Sequence, residues 1–179
     1  MRDLGIIPPS PGCGLQSWAR RINRSGQIAG TSFEGTCNSN EDAVLWSSAG
    51  VIQDLGKPTD NLFSQGNGIN DLGHVAGNGD TDAALWTPVD GWRDLGSLSG
   101  GVSSTAYAVN NADQVVGGSD TDNGAIHAFI WTSAGGMQDL GTLPGGVASQ
   151  ANDINNHQQV VGWSNRTGGD NHATLWILH

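Results

Sequence analysis

The chain repeats itself four times, and a repeat of this period restricts the fold to units that bury their apolar faces against one another. Asp-Leu-Gly recurs at 3–5, 54–56, 94–96 and 139–141. An apolar residue followed by Asn recurs at Ile22-Asn23, Ile69-Asn70, Val109-Asn110 and Ile154-Asn155. Seven residues beyond each Asn stands the last Gly of GQIAG, GHVAG, DQVVG or QQVVG. A fourth mark, AVLW, AALW, AFIW or ATLW, ends at Trp46, Trp86, Trp131 or Trp176, and the first three Trp lie eight residues before the next Asp-Leu-Gly aspartate.

Between these marks the apolar segments are short, rich in Val, Ile and Trp, and bounded by Gly, Asn, Asp and Pro, the pattern of strands rather than helices. Each unit predicts four antiparallel strands, as in STAYAV (104–109), QVVGGS (114–119), HAFIWT (127–132) and MQDL (137–140). The first two form a hairpin, in which Gly26 and Gly73 supply the positive φ that a type I turn followed by a bulge demands. Asp113 and Gln158 replace that Gly in the third and fourth units. Gln158 is the local misfit, because its side chain does not ease the left-handed conformation as a short Asp or Asn does.

Tandem four-stranded units predict an all-β chain, a four-bladed β-propeller of four-stranded antiparallel blades. A single domain over 1–179 divides into blades at approximately 6–56, 57–96, 97–141 and 142–179 plus 1–5. The last unit runs only through its third strand, HATLWILH (172–179), while the chain opens on MRDLG. The expected closure therefore pairs Met1–Gly5 with residues 173–178, which also covers edges that would otherwise aggregate. An eight-bladed ring of two chains and a stacked open array fit the same repeat, so the assembly is a monomer or a dimer of propellers.

Seven Lys and Arg against 17 Asp and Glu give a formal charge of −10, which repels nucleic acid and anionic lipid. No apolar run approaches the roughly 18–20 residues of a membrane-crossing helix. Neither nucleic-acid binding nor membrane insertion is expected. The first twenty residues hold no continuous apolar stretch of the kind found in a signal peptide.

The segment MQDLGTLPGGVASQANDINNHQQVVGWSNRTGGDNHATLW (137–176), together with HAFIW, resembles the HAF repeat family, and the resemblance covers essentially the whole sequence. It implies secretion or surface display on a bacterial cell, and it carries no established reaction or catalytic residues. The first two units depart from the family pattern, with Asp42 and Asp82 at the place of His127 and His172.

Residues shared by every unit serve architecture, because a common environment explains them without a ligand. The four repeated Trp read as core between twisted sheets, and the Asp of each Asp-Leu-Gly as an acceptor for the turn that follows. Ser17, Ser64, Ser104 and Ser149, six residues before each Asn, are too equivalent for one to be a nucleophile. Variation points to function. Loops joining the second strand to the third share one end of the units with the unit-to-unit connections, and Glu34, Glu41, Asp42, Asp60, Asp80, Asp82, Asp120, Asp122 and Asp170 gather there. Within that acidic face, Asp80 and Asp82 of GDTDAA and Asp120 and Asp122 of SDTDNG are candidate ligands for Ca²⁺, which takes six to eight oxygens. His127 and His172 with Asp42 form a second candidate set, and Trp18 and Trp163 are non-repeated aromatics available to a ligand. Cys13 and Cys37 fall on the same face, where a disulfide of about 3 kcal/mol is feasible and implies an oxidising compartment. The expected function is an extracellular or cell-surface binding module for a glycan, a peptide or a protein partner. A polysaccharide hydrolase or lyase using paired carboxylates, and a structural display repeat, are the alternatives.

Overall fold

The computed structural model describes residues 1–7, 16–33, 41–58 and 62–178. Cys13, Cys37, Glu34 and Asp60 lie outside the described residues. Four antiparallel sheets follow one another along the chain, and no helix occurs among the described residues. The first sheet is β1 (Ser17–Ile22), β2 (Ile28–Phe33), β3 (Glu41–Trp46) and β4 (Ile52–Asp54). The second is β5 (Gln65–Ile69), β6 (Val75–Asn78), β7 (Ala83–Thr87) and β8 (Gly91–Gly96). The third is β9 (Ser104–Val109), β10 (Val115–Asp120), β11 (Ile126–Thr132) and β12 (Gly136–Asp139), and the fourth is β13 (Ser149–Ile154), β14 (Gln159–Asn165) and β15 (Asn171–Ile177). Within each sheet the strands pair in chain order.

Each strand ends where the sequence supplies a turn. Gly26 and Gly73 hold φ near +80°, and Asp113 and Gln158 adopt φ of 56° and 59° at the same place. The aspartate of every Asp-Leu-Gly accepts the N–H of its own Gly, from Asp3 to Gly5 (2.9 Å) through Asp54–Gly56, Asp94–Gly96 and Asp139–Gly141 (2.7 Å each). These are short local bonds of the kind that Asx residues make in turns.

Consecutive sheets pack face to face. Ala29, Ala43, Leu45 and Leu55 of the first meet Val75 and Trp86 of the second, and Ala76, Leu85 and Leu95 meet Val115, Phe129 and Trp131 of the third. Val116, Ala128 and Ile130 then meet Ile154, Val160 and Trp176 of the fourth. The repeated Trp is thus the wedge at each junction. Burying one of these large side chains is worth roughly 2–3 kcal/mol.

Polar bonds reinforce the same junctions. Ser64, Ser104 and Ser149 each donate to the carbonyl of Gly56, Gly96 or Gly141 in the preceding unit, and each accepts the N–H of Ala43, Ala83 or Ala128. A ladder of asparagines runs across the hairpins: Asn23 Nδ2 donates to Asn70 O, Asn70 to Asn110 O, and Asn110 to Asn155 O, at 2.9–3.2 Å. One residue further on, the N–H groups of Arg24, Asp71 and Asn111 donate to the side chains of Asp71, Asn111 and Asn156. The repeated Asn is therefore a link between sheets.

Met1–Ile7 carries no strand, and among the described residues it makes no backbone pairing with β15. It lies instead against the first sheet, where Ser17 donates to Gly5 O (3.0 Å), Ile7 N donates to Ser32 Oγ (3.1 Å) and Arg2 bonds Ala49 O. The physical reason is visible in the other units, where the Gly of Asp-Leu-Gly is likewise held by the serine of the sheet that follows it.

Candidate functional site

The first strands of the four sheets, β1, β5, β9 and β13, share one irregularity. In each, one residue is inserted against the neighbouring strand: Arg20 between Ala19 and Arg21, Asn67 between Gly66 and Gly68, Tyr107 between Ala106 and Ala108, and Asn152 between Ala151 and Asp153. A bulge of this kind turns a side chain out of the regular alternation and is frequent beside binding sites. Opposite each bulge lies the repeated Gly30, Gly77, Gly117 or Gly162. A Cβ at these glycines would stand 1.8–2.0 Å from the carbonyl oxygen of Trp18, Gln65, Thr105 or Gln150. No side chain fits there, and the glycine is what allows the bulged backbone to come so close.

All four bulged residues line one cleft of about 880 Å³, together with Trp18, Arg21, Glu41, Gln65 and Gln150. That volume falls within the usual range of small-ligand sites. Trp18 is partly exposed and meets Phe33 in a T-shaped contact, ring centroids 4.9 Å apart. Tyr107 is half-buried, and burial pushes its phenol above the usual tyrosine range, opposed by a hydrogen bond from Thr105. Asn67 donates to Ala106 O and Asn78 Oδ1, Asn152 Oδ1 accepts from Gln150, and Gln65 bonds the Glu41 carboxylate. Asn67 and Gln65 are held by neighbouring strands, and Gln150 and Asn152 by each other within β13, which fixes the direction of their remaining donors and acceptors. Arg20 and Arg21, two of the seven basic side chains, line the cleft against the one carboxylate of Glu41, so its walls carry more positive than negative charge in an acidic molecule.

Two acids of the loop face are occupied by the backbone. Asp80 accepts the N–H groups of Leu62 and Phe63, and Asp120 those of Val102 and Ser103. Asn165 accepts those of Val147 and Ala148 at the same position of the fourth unit. An uncharged amide oxygen does the same work, so the role asks for an acceptor rather than a negative charge. Asp82 accepts from Thr81, and Asp122 sits over Gly100. Among the described residues no group of three or more His, Cys, Asp or Glu gathers as a metal site requires.

The remaining candidates are spread over separate sheets. Asp42 is buried and bonded to Lys57 Nζ at 3.0 Å. His127 Nδ1 lies 2.8 Å from Asp139 Oδ2, while His172 is exposed on β15 opposite Ser164. Trp163, half-buried on β14, stands between Gln150 and Ala173 in register. Of the expected ligand-binding residues only Trp18 reaches the cleft. The residues that sequence reasoning missed, Arg20, Asn67, Tyr107 and Asn152, stand three places before each ladder Asn, and their one signal is that this position holds three residue types across the four units.

At the hairpin end of the same strands Asp71 is held below the usual carboxylate range by the Asn111 amide, by the Arg24 N–H and by the charge of Arg24. No family model matches the chain, and neither a curated protein nor a solved structure is similar to it.

Proposed function

We propose that the protein is a binding module whose four sheets act as consecutive propeller blades, and that its ligand is a glycan held in the cleft of the four first strands. The observation that carries this reading is the set of four bulged residues, of three different chemistries, that line one space from four equivalent positions. Architecture explains what the units share, and it leaves the contrast between Arg, Asn, Tyr and Asn unexplained. Aromatic faces pack on the C–H faces of sugars while planar amides bond their hydroxyls, and Trp18, Tyr107, Asn152 and Gln150 offer both. Arg20 and Arg21 favour a sugar that carries a carboxylate. Glu41 is the one carboxylate among the described lining residues, and it is bonded to Gln65, so binding is proposed without hydrolysis, which uses a pair. Display outside the cell rests on the resemblance to HAF repeats, and fractionation of the producing cells tests it.

Glycan-array screening of the full chain, followed by calorimetry on the best hit, is the test. Tyr107→Ala and Asn152→Ala should each weaken binding by about tenfold or more, roughly 1.4 kcal/mol, with β-sheet circular dichroism unchanged. Full affinity in both variants would move the site away from the cleft.

A further inference from the structure

We propose that the outer face of the fourth sheet and the edge of β15 receive the first sheet of a second copy of this chain, head to tail, with Met1–Gly5 of that copy serving as the fourth strand. The inference rests on the reading of the sheets as consecutive blades and is independent of what the cleft binds. Three junctions within the chain are the same junction repeated, and they act as the template. The face that the third sheet turns to the fourth holds Val116 and Ile130, 0% and 5% exposed; the second sheet has Ala76 and Leu85, 0% and 4%. At the same positions the fourth sheet carries Val161 and Leu175, 47% and 54% exposed, with Ile177 beside them at 55%. The receiving side of the first sheet is open in the matching place. Ile22 is 66% exposed, against 6% for Val109 and 8% for Ile154.

The hydrogen-bonding groups of this junction are also in position. Met1–Ile7 already lies on the first sheet as the end of a preceding unit, with Gly5 O held by Ser17 as Gly56, Gly96 and Gly141 are held by their serines. The alanines that donate to those serines are Ala43, Ala83 and Ala128, and the next in the series is Ala173 of β15. Among the described residues β15 has a partner on one side alone. The register of Phe129 with Asp139 and of Val44 with Asp54 sets Thr174 opposite Asp3 of the second copy. His172 then faces Asp3 as His127 faces Asp139. Trp163 takes the place of Gly118, where a Cβ would stand 3.1 Å from Ile126 and 3.5 Å from Gln150, and the residue equivalent to Gln150 in the first sheet is Trp18. Trp163 of one copy and Trp18 of the other thus meet at the junction. One rung differs: Arg24 has no acceptor for the N–H of Asn156, so the second ladder stops there.

Such a head-to-tail contact closes a ring or extends a filament according to its rotation, and either outcome covers the apolar face and the strand edge. Light scattering after gel filtration, on the full chain at up to about 0.1 mM, should give a mass of two or more copies. Leu175→Asp should raise the dissociation constant at least tenfold, and Ile177→Lys replaces it if the first variant loses its sheet spectrum. Val89→Asp, on an exposed turn, should change nothing. His172→Asp should weaken association, and adding Asp3→Arg to it should restore the mass. A single-chain mass for the wild type, including one produced by Met1–Gly5 closing on its own β15, overturns the proposal, as does an unchanged mass in the face variants. Glycan binding measured on the Leu175→Asp monomer separates this outcome from the reading of the cleft.

Discussion

Tyr107 shows how one side chain reports its surroundings. Its phenol is pushed above the free value of 10.0 by burial, because the charged phenolate is poorly solvated among β1, β5 and β9. The folded state then holds its proton at a pH where the unfolded chain has lost it, so stability falls as the pH rises past about 10. Tyr107 is the single tyrosine of the chain, and its ultraviolet titration is free of overlap from others. The midpoint should lie above 10 in the folded protein and return to about 10 in denaturant; a folded midpoint at or below the free value would remove the phenol from the half-buried wall of the cleft. At the same scale, Asp113 and Gln158 occupy one conformation for different returns. Asp113 accepts from Asn70 and His74 across the junction, and no side-chain bond is seen for Gln158. The sequence identified both positions, since turn geometry depends on the residue and its immediate neighbours.

The bulged first strand of each sheet is the element that joins fold to site. The insertion in β9 brings Thr105 O to within 1.9 Å of where a Cβ on Gly117 would be. Gly117→Ala should therefore destabilise the protein by about 3 kcal/mol or more, because backbone rather than a flexible side chain must yield. Urea melts measure it. A loss below about 1 kcal/mol would show that the strand can straighten, and Tyr107 would then leave the cleft. The repeated Gly was legible in the sequence as a fixed mark, seven residues after each Asn. Its purpose was not, because a bulge is a mismatch between two strands and neither strand announces it alone.

Across the molecule, adjacent sheets are coupled by the Trp wedges, the serine bonds and the asparagine ladder. The Asn70 side chain takes part twice: its Nδ2 donates to Asn110 O and Asp113 Oδ1, and its Oδ1 accepts the N–H groups of Leu72 and His74. Asn70→Ala should cost about 2–3 kcal/mol, since it strands buried backbone partners as well as removing the bonds. Hydrogen exchange should show the loss in both the second and third sheets. Protection falling in the second sheet alone would mean that the ladder is a local turn device rather than a tie between units.

The repeat by itself determined the strands, their four-fold order, the tryptophan core and the Asp-Leu-Gly turns, since each depends on spacing within a unit or on a face used the same way every time. Tertiary structure decided which variable residues share a space, that Asp80 and Asp120 serve backbone N–H groups, and that Met1–Ile7 rests on the first sheet. Those outcomes depend on contacts between residues 12 to 47 positions apart. A linear pattern records that such residues recur, and only packing selects their partners.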